Sequence, residues 1–142
     1  MRIEFTVIDK PEPAGSKKAF PFRRRDGSLG ANVVDDNDKA KGWKRSVAVE
    51  ARIAYDGPLL EGALKLQIAL FFPRPKGHFG TKGLKDAAPS HHLVRPDATK
   101  CLRGIEDALQ GVLYRNDSQI VLQIVSKQFG EPGRAEITVS VL

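Results

Sequence analysis

Cysteine, methionine and tryptophan each occur once in these 142 residues, and tyrosine twice. The lone Cys101 excludes an internal disulfide and any metal centre built from several thiolates. No apolar run approaches the roughly 20 residues that a membrane-spanning helix needs, so no membrane partner is expected. The opening stretch MRIEFTVID lacks the apolar core and cleavage site of a signal peptide, which points to a reducing cytoplasm. Internal repeats and low-complexity tracts are absent. No Gly-Lys-Ser/Thr opens a helix, so GHFGTKG is a flexible basic loop and not a P-loop. His91 and His92 have no third soft ligand nearby for zinc; phosphate contact or simple exposure suits them better.

Cations are plentiful. Lys and Arg number 23 against 17 Asp and Glu, for a net charge of +6 and a pI near 9.6. The surplus lies before residue 104, and the remainder of the chain is net acidic. Lys17, Lys18, Arg23, Arg24 and Arg25 form one cluster. Arg74, Lys76, Lys82 and Lys85 form a second, in a loop rich in Gly and Pro. Cations gathered on loops suit a polyanion, because each phosphate neutralised releases counterions. A basic surface that only aids solubility has the same composition.

The chain length suits one domain, residues 1–142, with a real core. Met1–Asp9 alternates as a strand does, and Lys18–Phe22 reads as a short strand leading into the turn RRRDGSLG. ANVVDDND ends in acidic residues fit to cap a helix. Trp43, Val47, Ala51 and Ala54 recur at helical spacing, with Val49 and Ile53 widening the apolar face, which predicts a helix over about 38–55. That stripe is better suited to a core than to stacking on bases. Leu64–Phe72 reads as a central strand. The long aperiodic loop after it is of the kind that is usually functional or disordered.

A second helix is expected over about 98–110. Its buried stripe is Ala98, Cys101, Leu102, Ile105, Ala108 and Leu109, and Gly111 is its C-cap candidate. Cys101 on that stripe, with no base beside it, reads as core and not as a nucleophile. Strands at 120–129 and 134–142 close the chain and are expected to run antiparallel. The fold class is α/β in the α+β sense: a small mixed sheet with two main helices.

Arg95–Val121 carries the chemistry. Asp97 follows a Pro and precedes the second helix, where an N-cap would sit. Asp117 lies in RNDS, where it could close an Asx-turn. Both residues are also candidate ligands, and a kink or rotation is needed to bring them together. Arg103 is placed for an i,i+4 pair with Asp107, and Lys100 shares their polar face.

The stretch reads Pro96-Asp97-Ala98-Thr99-Lys100-Cys101-Leu102-Arg103, then Asp107-Ala108-Leu109-Gln110-Gly111, then Asn116-Asp117-Ser118-Gln119-Ile120, with Lys127 beyond. With this spacing it resembles the RusA-like Holliday junction resolvases, small endonucleases common in phages and prophages. The likeness is without a gap over Arg95–Lys127 and looser toward the N-terminus. It implies a homodimer that acts on branched DNA, with clustered aspartates holding Mg²⁺ and paired nicks in opposed junction strands.

Carried over residue by residue, the resemblance makes Asp97 and Asp117 catalytic metal ligands, with Asp107 as a further candidate. Arg103 stands where the family has a functional Lys, and would offset charge on the phosphate. Lys100 and the two loop clusters would contact DNA. Thr99 and Asn116 depart from family aspartates. One or two carboxylates can still hold Mg²⁺, which keeps several waters. A weak or inactive relative that only binds branched DNA is the rival reading. A basic RNA-binding domain is a more distant one, disfavoured by the paired aspartates.

Overall fold

Alternation in Leu64–Phe72 places Leu64, Leu66, Ile68, Leu70 and Phe72 on one side of a strand, and all five are buried. This is the second-from-edge strand of the main sheet in a computed structural model. It describes residues 1–14, 17–35 and 38–142, with side chains for all of these except 17–20 and 32–35. In chain order the elements are β1 (Arg2–Ile8), β2 (Lys17–Arg23), β3 (Leu29–Asp35), α1 (Asp38–Ala54), β4 (Leu64–Phe72), the short β5 (Phe79–Gly80) and β6 (Gly83–Leu84), α2 (Ala98–Leu109), β7 (Ile120–Phe129) and β8 (Arg134–Val141).

The main sheet has the order β1-β8-β4-β7. β8 is antiparallel to both its neighbours, and β7 is parallel to β4. β7 and β8 therefore run in opposite directions, as expected, but β4 lies between them. A parallel neighbour needs a long crossover. Here it runs from β4 through the basic loop and α2 to β7, so the whole Asp97–Asp117 unit lies within that connection.

Both helices cover one face of the sheet. Trp43, Val47 and Ala51 of α1 and Cys101, Ile105 and Leu109 of α2 are buried in one cluster with Ile68, Leu70 and Ile137. Val49 and Ile53 do not widen this face; they are 45% and 74% exposed. At 100° per residue they fall on the side of α1 opposite Trp43 and Val47. Gly104 is buried on α2 where residues 12–14 cross it. A Cβ there would lie 3.3 Å from the Ala14 nitrogen, and Ala14 N–H donates to the Lys100 carbonyl at 3.0 Å.

The other face of the sheet has no helix over it among the described residues. Register puts Leu122 opposite Lys65 and Ile124 opposite Gln67 on this face, and both apolar side chains are 44% exposed. β7 is also an edge strand. β2 and β3 pair antiparallel as a separate two-stranded ribbon. Of the acidic residues expected to cap α1, Asp35 ends β3, Asp38 opens α1 and Asp36 lies outside the described residues. No helix among the described residues is long and apolar enough to cross a membrane.

Candidate active site

α2 starts after Pro96, whose ring disfavours helix for the residue before it. Asp97 takes the N-cap position with extended backbone, and its carbonyl accepts the Cys101 N–H at 3.1 Å. Its side chain makes no capping bond. The carboxylate is 61% exposed and stands 3.9 Å from the Lys100 ammonium. The capping role open to Asp97 is thus not taken, and its oxygens face solvent.

The segment that delivers Asp97 is tied to the sheet. Lys127, on β7, donates to the carbonyls of Val94 at 2.7 Å and Pro96 at 3.1 Å. Behind it His92 is buried, stacked on Phe72 at 4.5 Å and edge-on to Phe129 at 5.1 Å. Burial, then the nearby Lys127 charge, lowers the His92 pKa and favours the neutral ring. His92 therefore packs as part of a small aromatic cluster, contrary to the expected exposure or phosphate contact. His91 is exposed.

Asp117 lies at the other end of α2, in a turn of 3-10 helix over Asp117–Gln119. Asn116 performs the turn chemistry there. Its oxygen accepts the Ser118 N–H at 2.9 Å, while Gln119 accepts the Asn116 N–H at 3.1 Å and donates to the Leu60 carbonyl at 3.0 Å. The Asp117 N–H donates to the Gln110 side chain at 3.0 Å. Among the described residues the Asp117 carboxylate has no hydrogen bond or ion pair, so the Asx-turn role belongs to Asn116. Gly111, expected to cap α2, has φ 82° and donates to the Tyr114 carbonyl at 2.7 Å.

Sequence reasoning missed Glu106. It accepts a hydrogen bond from Gln123 of β7. Burial raises its pKa, and Asp117 and Asp107 raise it further. The same three carboxylates raise the pKa of Tyr114, whose main cause is burial, and whose hydroxyl donates to the Glu106 carbonyl at 2.8 Å. Glu106, Asp107 and Asp117 therefore form one negative region at the C-terminal end of α2. Its sequence signal is helical spacing, since Thr99, Arg103, Glu106 and Gln110 fall on one stripe.

One chain does not bring Asp97 and Asp117 together. At 1.5 Å per residue, the 13 steps from Asp97 to Gln110 span about 20 Å, and the Gln110 side chain recovers only part of it. Among the described residues no three His, Cys, Asp or Glu side chains converge on a metal-sized point. The donor set still fits Mg²⁺ in kind, because both aspartates offer hard, solvent-facing carboxylate oxygens.

Arg103 is exposed midway along α2 and makes no pair with Asp107, which instead meets Lys44 of α1 at 3.6 Å. Thr99 and Lys100 are exposed on the first turn. Arg74 is committed within its loop: it donates to the Pro89 carbonyl at 2.8 Å and its guanidinium lies 4.2 Å from the Phe129 ring centre. Lys76, Lys82 and Lys85 are exposed on the same loop, and Arg23, Arg24 and Arg25 at the end of the ribbon. The side chains of Lys17 and Lys18 lie outside the described residues.

Residues 12–140 match the family model of the endodeoxyribonuclease RusA. The chain belongs to the RusA endodeoxyribonuclease family. It is also 30% identical to the uncharacterized protein YqaN of Bacillus subtilis strain 168, over 96% of this chain and 94% of that one. The RusA match spans both the ribbon and the α2–β7 unit, and so covers the basic tip and both aspartates. A RusA-family site acts on DNA phosphodiesters, and the family implies a branched-DNA partner. Between the two aspartates, Thr99 and Arg103 are exposed on α2.

Proposed function

We propose that this protein is a Mg²⁺-dependent endonuclease that resolves four-way DNA junctions by paired nicks, working as a homodimer. The carrying observation is that Asp97 and Asp117, neither of whose carboxylates makes a capping or turn hydrogen bond, mark opposite ends of α2 and of the free edge strand β7. Lys127 near the end of β7 holds the segment before Asp97. The turn Asp117–Gln119 directly precedes Ile120, where β7 begins.

That arrangement supports a specific dimer. Two β7 strands meeting antiparallel about a two-fold axis would set the start of each beside the end of the other. Asp117 of one protomer then lies at the same end as Asp97 of its partner. Leu122 and Ile124 on the uncovered sheet face, and Val121 at 64% exposure, supply apolar surface for the contact. A C₂ dimer also matches a junction that presents two equivalent strands.

In this reading Asp97 and Asp117 hold the ion, and Asp107, paired with Lys44, stands nearby. When bound there, Mg²⁺ supplies Lewis-acid polarisation of the scissile phosphate. Arg103 faces the phosphate from the middle of α2 and offsets charge that grows on it. Lys100, Lys76, Lys82, Lys85 and the arginines of the ribbon hold the surrounding backbone, each contact adding to the salt dependence of binding. Arg74 orders the loop that carries the lysines.

A second reading has its own observation. Thr99 offers a neutral hydroxyl, and Asn116 is occupied in its turn, where the family pattern has carboxylates. Both favour a protein that holds junctions and cuts weakly or not at all. The test is cleavage of a mobile four-way junction with and without Mg²⁺. Paired symmetric nicks that need Mg²⁺ support the first reading. Retention of the junction without nicks supports the second. Equal binding of junction, duplex and RNA sinks both.

A further inference from the structure

Every residue from Pro21 to Leu29 at the end of the ribbon is exposed. Two of them are large and apolar: Phe22 is 41% and Leu29 68% exposed. Register pairs Phe22 with Gly30 and Arg23 with Leu29. Cross-strand partners share a face and neighbours along a strand alternate. Phe22 and Leu29 therefore lie on opposite faces of the ribbon, which has an apolar side chain on each side of its end.

The end is also held in shape. A Cβ on Gly30 would sit 2.6 Å from the Phe22 ring and 2.7 Å from the Arg24 guanidinium, so glycine lets both lie flat across the partner strand. Arg24 donates to the Leu29 carbonyl at 2.7 Å, and its guanidinium carbon is 5.5 Å from the Phe22 ring centre. Gly27 turns the chain at φ 86°. Asp26, the one acid in this stretch, accepts the Ser28 hydroxyl at 2.6 Å and the Ser28 N–H at 2.9 Å. Those bonds hold its carboxyl below the usual range. Its oxygen is committed to the turn. Arg23 and Arg25 have no ion-pair partner among the described residues.

A protein groove would cover one face of such a ribbon. A gap between two bases covers both, and the flanking backbone is anionic. A two-stranded ribbon can enter a DNA groove, and apolar side chains can enter a base step at the cost of unstacking it. That cost is least where pairing is already interrupted, as at the branch point of a junction. We propose that the ribbon is a wedge: Phe22 and Leu29 separate stacked bases at the branch point, while Arg23, Arg24 and Arg25 grip the phosphates on either side. This rests on the branched-DNA reading above and adds a role for apolar residues that the charge count does not contain.

The test uses full-length protein without metal, and a four-way junction carrying 2-aminopurine beside the branch point. Wild type should brighten the probe as the base unstacks. Phe22→Ala with Leu29→Ala should abolish the rise and weaken junction affinity by roughly 5- to 150-fold, the range for loss of aromatic–base stacking. Its salt slope should not change. Arg23→Gln with Arg25→Gln should lower that slope by about 2 and keep the rise at saturation. Phe22→Trp should keep both. A full rise from the double alanine variant overturns the wedge. So does wild type that prefers the junction but never brightens the probe, although the nuclease reading then stands. Wild type that binds duplex as tightly as junction overturns both.

Discussion

The Lys127 ammonium, on β7, donates to the carbonyl of Pro96 at 3.1 Å, one residue before Asp97. With the Val94 carbonyl at 2.7 Å it is a two-point tether on the segment that aims a candidate ligand. Lys127→Met should lower stability by about 1–3 kcal/mol, and cleavage far more. Lys127→Arg should regain part of both. Thermal unfolding and single-turnover cleavage, measured together, check this. Equal losses in the two would reduce Lys127 to an ordinary structural residue.

Asp97→Asn and Asp117→Asn should each abolish cleavage while junction binding persists or tightens, since a negative charge facing phosphate is removed. The antiparallel dimer adds a sharper expectation. Co-refolding the two inactive variants should restore nicking, because a mixed dimer keeps one intact Asp97–Asp117 pair. With random assortment about a quarter of all sites are intact, and the products are single nicks. A mixture as dead as its parents would show that one protomer supplies the whole site.

Thr99 is exposed on the first turn of α2, beside Asp97 and in line with Arg103. Thr99→Asp adds a carboxylate to a hard-cation site, and ligand charge is a main determinant of such affinity. The Mg²⁺ needed for half-maximal junction cleavage should fall, at fixed salt. Helix stability should hold, as an acid near a helix N-terminus is favoured by the dipole. An unchanged or higher requirement would place position 99 outside the metal site.

Glu106 gives a prediction about pH. Burial, then Asp117 and Asp107, raises its folded pKa. The folded state therefore holds the proton better than the unfolded chain does. That contribution is fully present below the ordinary carboxylate value and is lost as pH rises through the folded one. Glu106→Gln keeps an acceptor for Gln123 and removes the titration. The variant should gain relative to wild type as pH climbs from 4 toward 7, and match it most closely at the acid end. Denaturant midpoints at several pH values report this, and a gap that does not vary with pH would sink it.

Much of the fold is local and was legible. The alternation of Leu64–Phe72 and the stripes of α1 and α2 define their elements within a residue or so, because each period is set by near neighbours. β3 was hidden, since its pairing with β2 lies across a turn and its acidic end looks like a helix cap. The insertion of β8 between β1 and β4 is a matter of distant pairing, which no local period records. At the site, spacing located Asp97 and Asp117 but not their company. Asn116 and Asp117 are adjacent acceptors in one turn, and only geometry separates the one that caps from the one left open. Glu106 was lost beside Asp107, and the burial of His92 depends on Phe72 and Phe129, far away in sequence.

Gly104 and Ala14 set a length. Because the chain crosses α2 there, bonded to the Lys100 carbonyl, the ribbon leaves from the same helix that Asp97 heads. Three residues lead from Ala14 to Lys17, and six more reach Arg23. At ~3.3–3.6 Å per residue the Arg23 backbone cannot stand more than roughly 32 Å from that crossing. That is about one turn of duplex. Whatever angle the ribbon adopts, the proposed phosphate grip and the proposed cut would then fall about one helical turn apart, so the protein would carry its own ruler.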